Sequence, residues 1–185
     1  MRSNHSKGFT LIETLVAIAV LMIAVAGPLA IANKSLNAAL YARDQSTAAH
    51  LAQEEMELIK NIRGNAYKNG SPWLNDFSAP NCPSTNGLQK CDVTVSSGGL
   101  FDFKNCGAVS TGCPLYLSSE RYVHDVSLGA RSTIFSRYFT LIPTGAGSGA
   151  GLSSEDYQVE VVISWNEGTV PNDVRLRSEL TNAVE

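Results

Sequence analysis

The chain has 185 residues, of which 44% are hydrophobic and 17% charged, with a formal net charge of −3 and a sequence pI near 5.6. That length holds one ordinary domain plus an anchor rather than two large domains. The slightly acidic balance provides no global basic field, which argues against nucleic-acid binding as the main task.

Residues 1–8, Met-Arg-Ser-Asn-His-Ser-Lys-Gly, are short and polar. Arg2 and Lys7 precede an apolar run, and the positive-inside rule keeps such an end in the cytoplasm. From Phe9 to Ala32 only Thr10, Glu13 and Thr14 interrupt the apolar residues. About 20 helical residues cross a hydrocarbon core of about 30 Å, so this segment can span a membrane. A removable secretory signal is the competing reading, because Ala24-Val25-Ala26 and Ala30-Ile31-Ala32 both fit small-residue cleavage sites. Glu13 is the anomaly. A charge at the bilayer centre costs roughly 2.5–3.5 kcal/mol on insertion scales, and an export signal alone has no use for it. Its bland reading is a carboxylate near the membrane edge that reaches water. Gly27-Pro28 falls in the second half of the run, where proline removes a backbone donor and predicts a kink or local unwinding.

The stretch Lys7-Gly8-Phe9-Thr10-Leu11-Ile12-Glu13 resembles the class III signal of type IV pilins and of type II secretion pseudopilins. The resemblance implies that a prepilin peptidase cuts between Gly8 and Phe9 on the cytoplasmic side and N-methylates Phe9. It also implies that Glu13 meets the charged amino group of a neighbouring subunit during filament assembly, which supplies the counter-charge an intramembrane carboxylate needs. Pro28 matches the helix-breaking proline that pilin helices carry in this region and that can melt locally in a filament. The implied partners are the peptidase, other pilin or pseudopilin subunits, the inner-membrane assembly platform and the membrane. The implied location is the bacterial cytoplasmic membrane, crossed once with the N terminus cytoplasmic, and then the filament.

From Asn33 the chain turns polar but stays rich in helix formers, without Pro or Gly until Gly64, which is read as the helix end. At 100° per residue, Ala48, Leu51, Ala52, Met56, Leu58, Ile59 and Ile62 share one arc, with Gln53, Glu54, Glu57, Lys60 and Asn61 opposite. Glu55 falls inside the apolar arc, so it is either paired in the core or the register is slightly off. A helix from Phe9 to Arg63 would reach on the order of 80 Å. The segment Leu51 to Arg63 also resembles minor pilins of the V type and pseudopilins of the I type, which implies a minor subunit.

Beyond Gly64, Asn69-Gly70-Ser71-Pro72 is a turn cluster, and Trp73, Leu74 and Phe77 offer apolar cover. Residues 81–114 read as a loop region with short strand-like pieces such as Val93-Thr94-Val95. All four cysteines lie here, Cys82, Cys91, Cys106 and Cys113, after the apolar segment, as suits an oxidising compartment outside the cytoplasm. Their spacing lacks the paired C-x2-C arms of a zinc ribbon. Four cysteines allow three pairings; the preferred one is sequential, because short loops cost least entropy to close.

Three later segments alternate with period two, as half-buried antiparallel strands do. Phe135, Phe139 and Leu141 share one face, Val159, Val161, Ile163 and Trp165 the next, and Val174, Leu176 and Leu180 the last. Glu167 to Asp173 reads as a turn-rich hairpin connection, and Tyr122 to Leu128 as a further strand. The expected fold is α+β and pilin-like: a long N-terminal helix, membrane-spanning in its first half, packed on an antiparallel sheet beside a disulfide-containing loop region. Its divisions are a leader at 1–8, a transmembrane or filament-core helix at 9–32, an amphipathic helix at 33–63 and an extracytoplasmic head at 64–185.

No catalytic constellation, metal-ligand set or cofactor motif emerges. Gly145 to Gly151 is glycine-rich, but no helix follows it and it lacks the Gly-Lys-Ser/Thr of a P-loop. His124 and Asp125 are neighbours, and neighbours on a strand point to opposite faces. The sequence therefore points to a structural filament subunit without enzymatic activity or a small-molecule substrate. The alternative is a secreted or membrane-anchored binding or adhesion protein with an ordinary signal sequence.

Overall fold

The computed structural model describes residues 8, 10–77, 82, 89–96, 98–107, 112–126, 129–144 and 156–180. The chain divides into two compact units, residues 1–44 and 45–185. One α-helix, α1 (Leu11–Lys68), supplies the described helical residues of both.

In the first unit the helix is helical through Gly27 and Pro28, and its large side chains from Leu11 to Ile31 are exposed. It is long and apolar enough to cross a membrane.

The second unit places the later part of α1 on an antiparallel sheet. Its strands are β1 (Lys90–Val95), β2 (Phe101–Gly107), β3 (Cys113–Ser118), β4 (Arg121–Val123), β5 (Arg131–Pro143), β6 (Tyr157–Glu167) and β7 (Val170–Leu180). The long strand β5 is the hub. It pairs with β6 along one edge from Phe135↔Trp165 to Pro143↔Tyr157, and β6 pairs in turn with β7. The other edge of β5 is shared between two hairpins: β3 pairs from Cys113↔Arg137 to Leu117↔Arg131, and β1 touches it only at Cys91↔Phe139.

Period-two patterning works as expected on β5 and β6. Phe135, Phe139 and Leu141 are buried, as are Val159, Val161, Ile163 and Trp165, and all join one core with Ala48, Leu51, Ala52, Met56, Ile59 and Ile62 of α1. Leu58, also placed in the helical arc, is partly buried against that core. On β7, Val174 and Leu176 pack partly against the same core and Leu180 is buried. A 3-10 turn, Trp73–Phe77, brings Trp73 edge-on to Tyr157 at 5.8 Å and Phe77 edge-on to Phe139 at 5.7 Å. Such T-shaped pairs set ring edges against ring faces. Trp73 and Phe77 thus act as the apolar cover their composition suggests.

Four expectations change. Gly64 does not end α1, which runs to Lys68 because Ala66 buries its side chain two residues further on. The stop is at Gly70, φ +65°, with Ser71 N–H donating to the Ala66 carbonyl and Gly70 N–H to that of Tyr67, both at 2.9 Å. That pair of bonds is a Schellman closure, and its left-handed residue favours glycine. Within 81–114, the expected loop region, β1 and β2 form a hairpin and β3 begins at Cys113. The connection from β6 to β7 is the two residues Gly168 and Thr169 rather than seven. The further strand is the short β4, which ends at Val123.

Both disulfides pair sequentially. Cys82–Cys91 and Cys106–Cys113 have Cα separations of 5.8 and 5.0 Å, the second tying the end of β2 to the start of β3. The run Gly145 to Gly151 lies outside the described residues.

Candidate functional site

At the N-terminal end, Lys7 and Phe9 lie outside the described residues, while Gly8, Thr10 and Glu13 lie within them. Thr10 starts the helix. Its Oγ1 accepts the Glu13 N–H at 3.4 Å, and its carbonyl accepts the N–H groups of Glu13 and Thr14 at 3.1 and 3.3 Å. Thr10-Leu11-Ile12-Glu13 therefore has the T-x-x-E spacing of a capping box, with an acid where the helix dipole favours one. Sequence reasoning weighed Glu13 as an intramembrane charge and missed this local role, although the spacing was legible. Glu13 is exposed, as are the apolar side chains that follow it. Pro28 stands inside α1.

The head contains a second constellation, which sequence reasoning glimpsed only at Glu55. Arg137 lies on the core-facing register of β5, between Phe135 and Phe139, and is fully buried. Its Nε contacts Glu55 Oε2 of α1 and Asp92 Oδ1 of β1, the latter at 2.6 Å. Its Nη2 donates to the Val93 carbonyl at 3.0 Å, while the Val93 N–H donates to Glu55 Oε1 at 3.3 Å. The reason is topological. Because β1 leaves β5 after Cys91↔Phe139, the backbone of Val93 has charged side chains for partners where a neighbouring strand would otherwise serve.

Burial pushes the Glu55 carboxyl well above the ordinary carboxylate range, an effect that the Arg137 guanidinium only partly offsets and that nearby Asp92 reinforces. Asp92 is also buried, but Arg137 and then hydrogen bonds from His124 and Arg137 outweigh desolvation and hold its carboxyl low. The two acids therefore differ: burial favours the protonated form of Glu55, while Arg137 favours the charged form of Asp92. The helix is thus locked to two strands through Arg137, which contacts both acids.

The network continues outward. His124, buried, places Nδ1 2.8 Å from Asp92 Oδ2 and Nε2 3.3 Å from Asp102 Oδ2 of β2. Asp125 Oδ2 lies 3.9 Å from the same Nε2. Lys104 donates to the His124 carbonyl at 2.7 Å and to Asp125 Oδ1 at 3.0 Å, and this bond holds the Asp125 carboxyl below the usual range. Strand alternation does not govern His124 and Asp125, because β4 ends at Val123 and both lie in the bend beyond it. The histidine's close carboxylate is Asp92, 32 residues away, which no local pattern could reveal. Asp102, His124 and Asp125 border a surface cleft also lined by Thr94, Ser96 and Arg121.

No curated protein and no solved structure matches the chain. The comparison that succeeds concerns its N-terminal end. Residues 3–27 match the prokaryotic N-terminal methylation motif.

Proposed function

We propose that this chain is a structural subunit, minor rather than major, of a type IV pilus or a type II secretion-like filament. The observation that carries the reading is the methylation motif at residues 3–27 running directly into an exposed apolar helix. A prepilin peptidase cuts between Gly8 and Phe9 and methylates Phe9. The helix anchors the precursor with its N terminus in the cytoplasm and its head outside, as the disulfides favour. On extraction by the assembly platform, the segment from Phe9 to about Ala32 exchanges lipid for neighbouring helices, and Pro28 marks where it can yield. Glu13 is neutralised by the amino terminus of an adjacent subunit. The minor-subunit assignment rests on the likeness of Leu51 to Arg63 to V-type minor pilins and I-type pseudopilins.

Intact-mass and N-terminal peptide spectrometry of the chain from its native membrane tests this. The expected mature species begins at N-methylated Phe9. An N terminus at Gly27 or Asn33 would instead identify an ordinary secretory signal and a secreted binding protein, and an uncut chain would also defeat the proposal. A Glu13→Val variant is expected to be inserted and cleaved normally yet to enter filaments poorly. Wild-type incorporation would remove the carboxylate from assembly.

A further inference from the structure

We infer that Asp102, His124 and Asp125 form a binding site for a divalent transition-metal ion on the head. The ligand atoms of the three side chains all lie within 4.8 Å of one another. Around an ion held at about 2.1 Å, tetrahedral ligands are about 3.4 Å apart. His124 Nε2 is already 3.3 Å from Asp102 Oδ2 and 3.9 Å from Asp125 Oδ2. Both carboxylates belong to exposed residues, so closing the remaining gap needs only side-chain rotation.

The histidine supplies the independent observation. It is 1% exposed, and its Nδ1 lies 2.8 Å from Oδ2 of the buried Asp92 side chain. With Nδ1 so engaged, the ring turns its Nε2 toward the carboxylates of Asp102 and Asp125. A metal ion between them would take one ligand atom from each of the three side chains. A buried carboxylate on the far nitrogen is also the outer-shell partner that metal-bound histidines carry, fixing tautomer and ring orientation. Asp92 is itself held by Arg137, so the orientation of the ring is anchored in the core.

The donor set selects the ion. One imidazole nitrogen and two carboxylates suit zinc or manganese better than calcium, which takes oxygen ligands. Lys104 engages Asp125 through Oδ1 and leaves Oδ2 toward the histidine. The adjoining cleft gives solvent access for the remaining coordination positions.

Calorimetric titration of the detergent-solubilised full chain with Zn2+, after chelator treatment, tests the site. A His50→Ala background removes the other described histidine, which lies on α1. One saturable equivalent is expected, weakened at least tenfold by Asp102→Asn and by Asp125→Asn, both at exposed positions. Long-range proton–nitrogen spectra should show the His124 Nε2 resonance move on adding Zn2+. No saturable binding, equal binding by the two asparagine variants, or an unmoved Nε2 resonance would overturn the proposal. The last result would mean that a proton, not a metal, sits between the acceptors.

Discussion

Burial, reinforced by nearby Asp92, holds the Glu55 carboxyl above its ordinary range, and Arg137 only partly offsets it. The consequence for pH follows from linkage. Its folded pKa lies above the ordinary 4.5, so between that value and the raised one the folded chain binds more protons than the unfolded chain. The contribution of this group is therefore full below about pH 4.5 and is lost as the pH climbs through the folded value. Glutamine keeps the shape and the hydrogen-bonding capacity without the proton. Glu55→Gln should be close to wild type at pH 5 and gain on it steadily toward alkaline pH, as read by urea unfolding of the solubilised chain at several pH values. Parallel stability curves would show that Glu55 is ionised in the fold. Half of this pair was visible in sequence, since Glu55 sat inside an apolar helical arc and Arg137 stood on the inward register of a strand between Phe135 and Phe139. Two opposite charges that each break a hydrophobic pattern predict one another. Asp92 and His124 carried no such mark, because their burial depends on how β1 and the bend after β4 come together.

At the scale of elements, the β3–β4 hairpin carries backbone strain. Its two turn residues, Ser119 and Glu120, have φ of 49° and 64°, the left-handed region that the tight type I′ turn demands and that asparagine and glycine fill best. Replacing them together, Ser119→Asn with Glu120→Gly, should stabilise the head by about 1 kcal/mol, measured by thermal or urea unfolding. An unchanged or lower stability would show that the turn's side chains compensate the strain. The same hairpin shows why part of the sheet was hard to read. The long strands β5, β6 and β7 run 11 to 13 residues and each carries apolar side chains at alternate positions, so their core faces were legible. By contrast β3 opens Cys-Pro and breaks register between Pro114 and Tyr116, and β4 has only three residues. β2 does alternate at Phe101 and Phe103, but the cysteines and glycines around it read as loop. The helix boundary failed for a different reason: Gly64 is a poor helix former, yet burial of Ala66 carries the helix one turn past it. Tertiary contact outweighed local propensity there.

At the scale of the whole molecule, the apolar side chains fall into two classes with different solvents. Every buried apolar residue described lies between Ala48 and Leu180. The twelve large apolar side chains exposed between Leu11 and Ile31 belong to the first unit. At about 1.5–3 kcal/mol for each such side chain moved out of water, that surface represents on the order of 20 kcal/mol awaiting lipid or neighbouring helices. The head does not draw on it, because the described core and both disulfides are complete within residues 45–185. A chain lacking residues 1–44 should therefore fold with both disulfides, stay in solution without detergent, and unfold cooperatively as its two core tryptophans, Trp73 and Trp165, become exposed. The full chain should require detergent or membrane under the same conditions. Aggregation of the shortened chain, or scrambled disulfides in it, would mean that the first unit contributes to folding the head. Success would separate the apolar helix from the head physically, so that the proposed metal binding could be studied on the head alone.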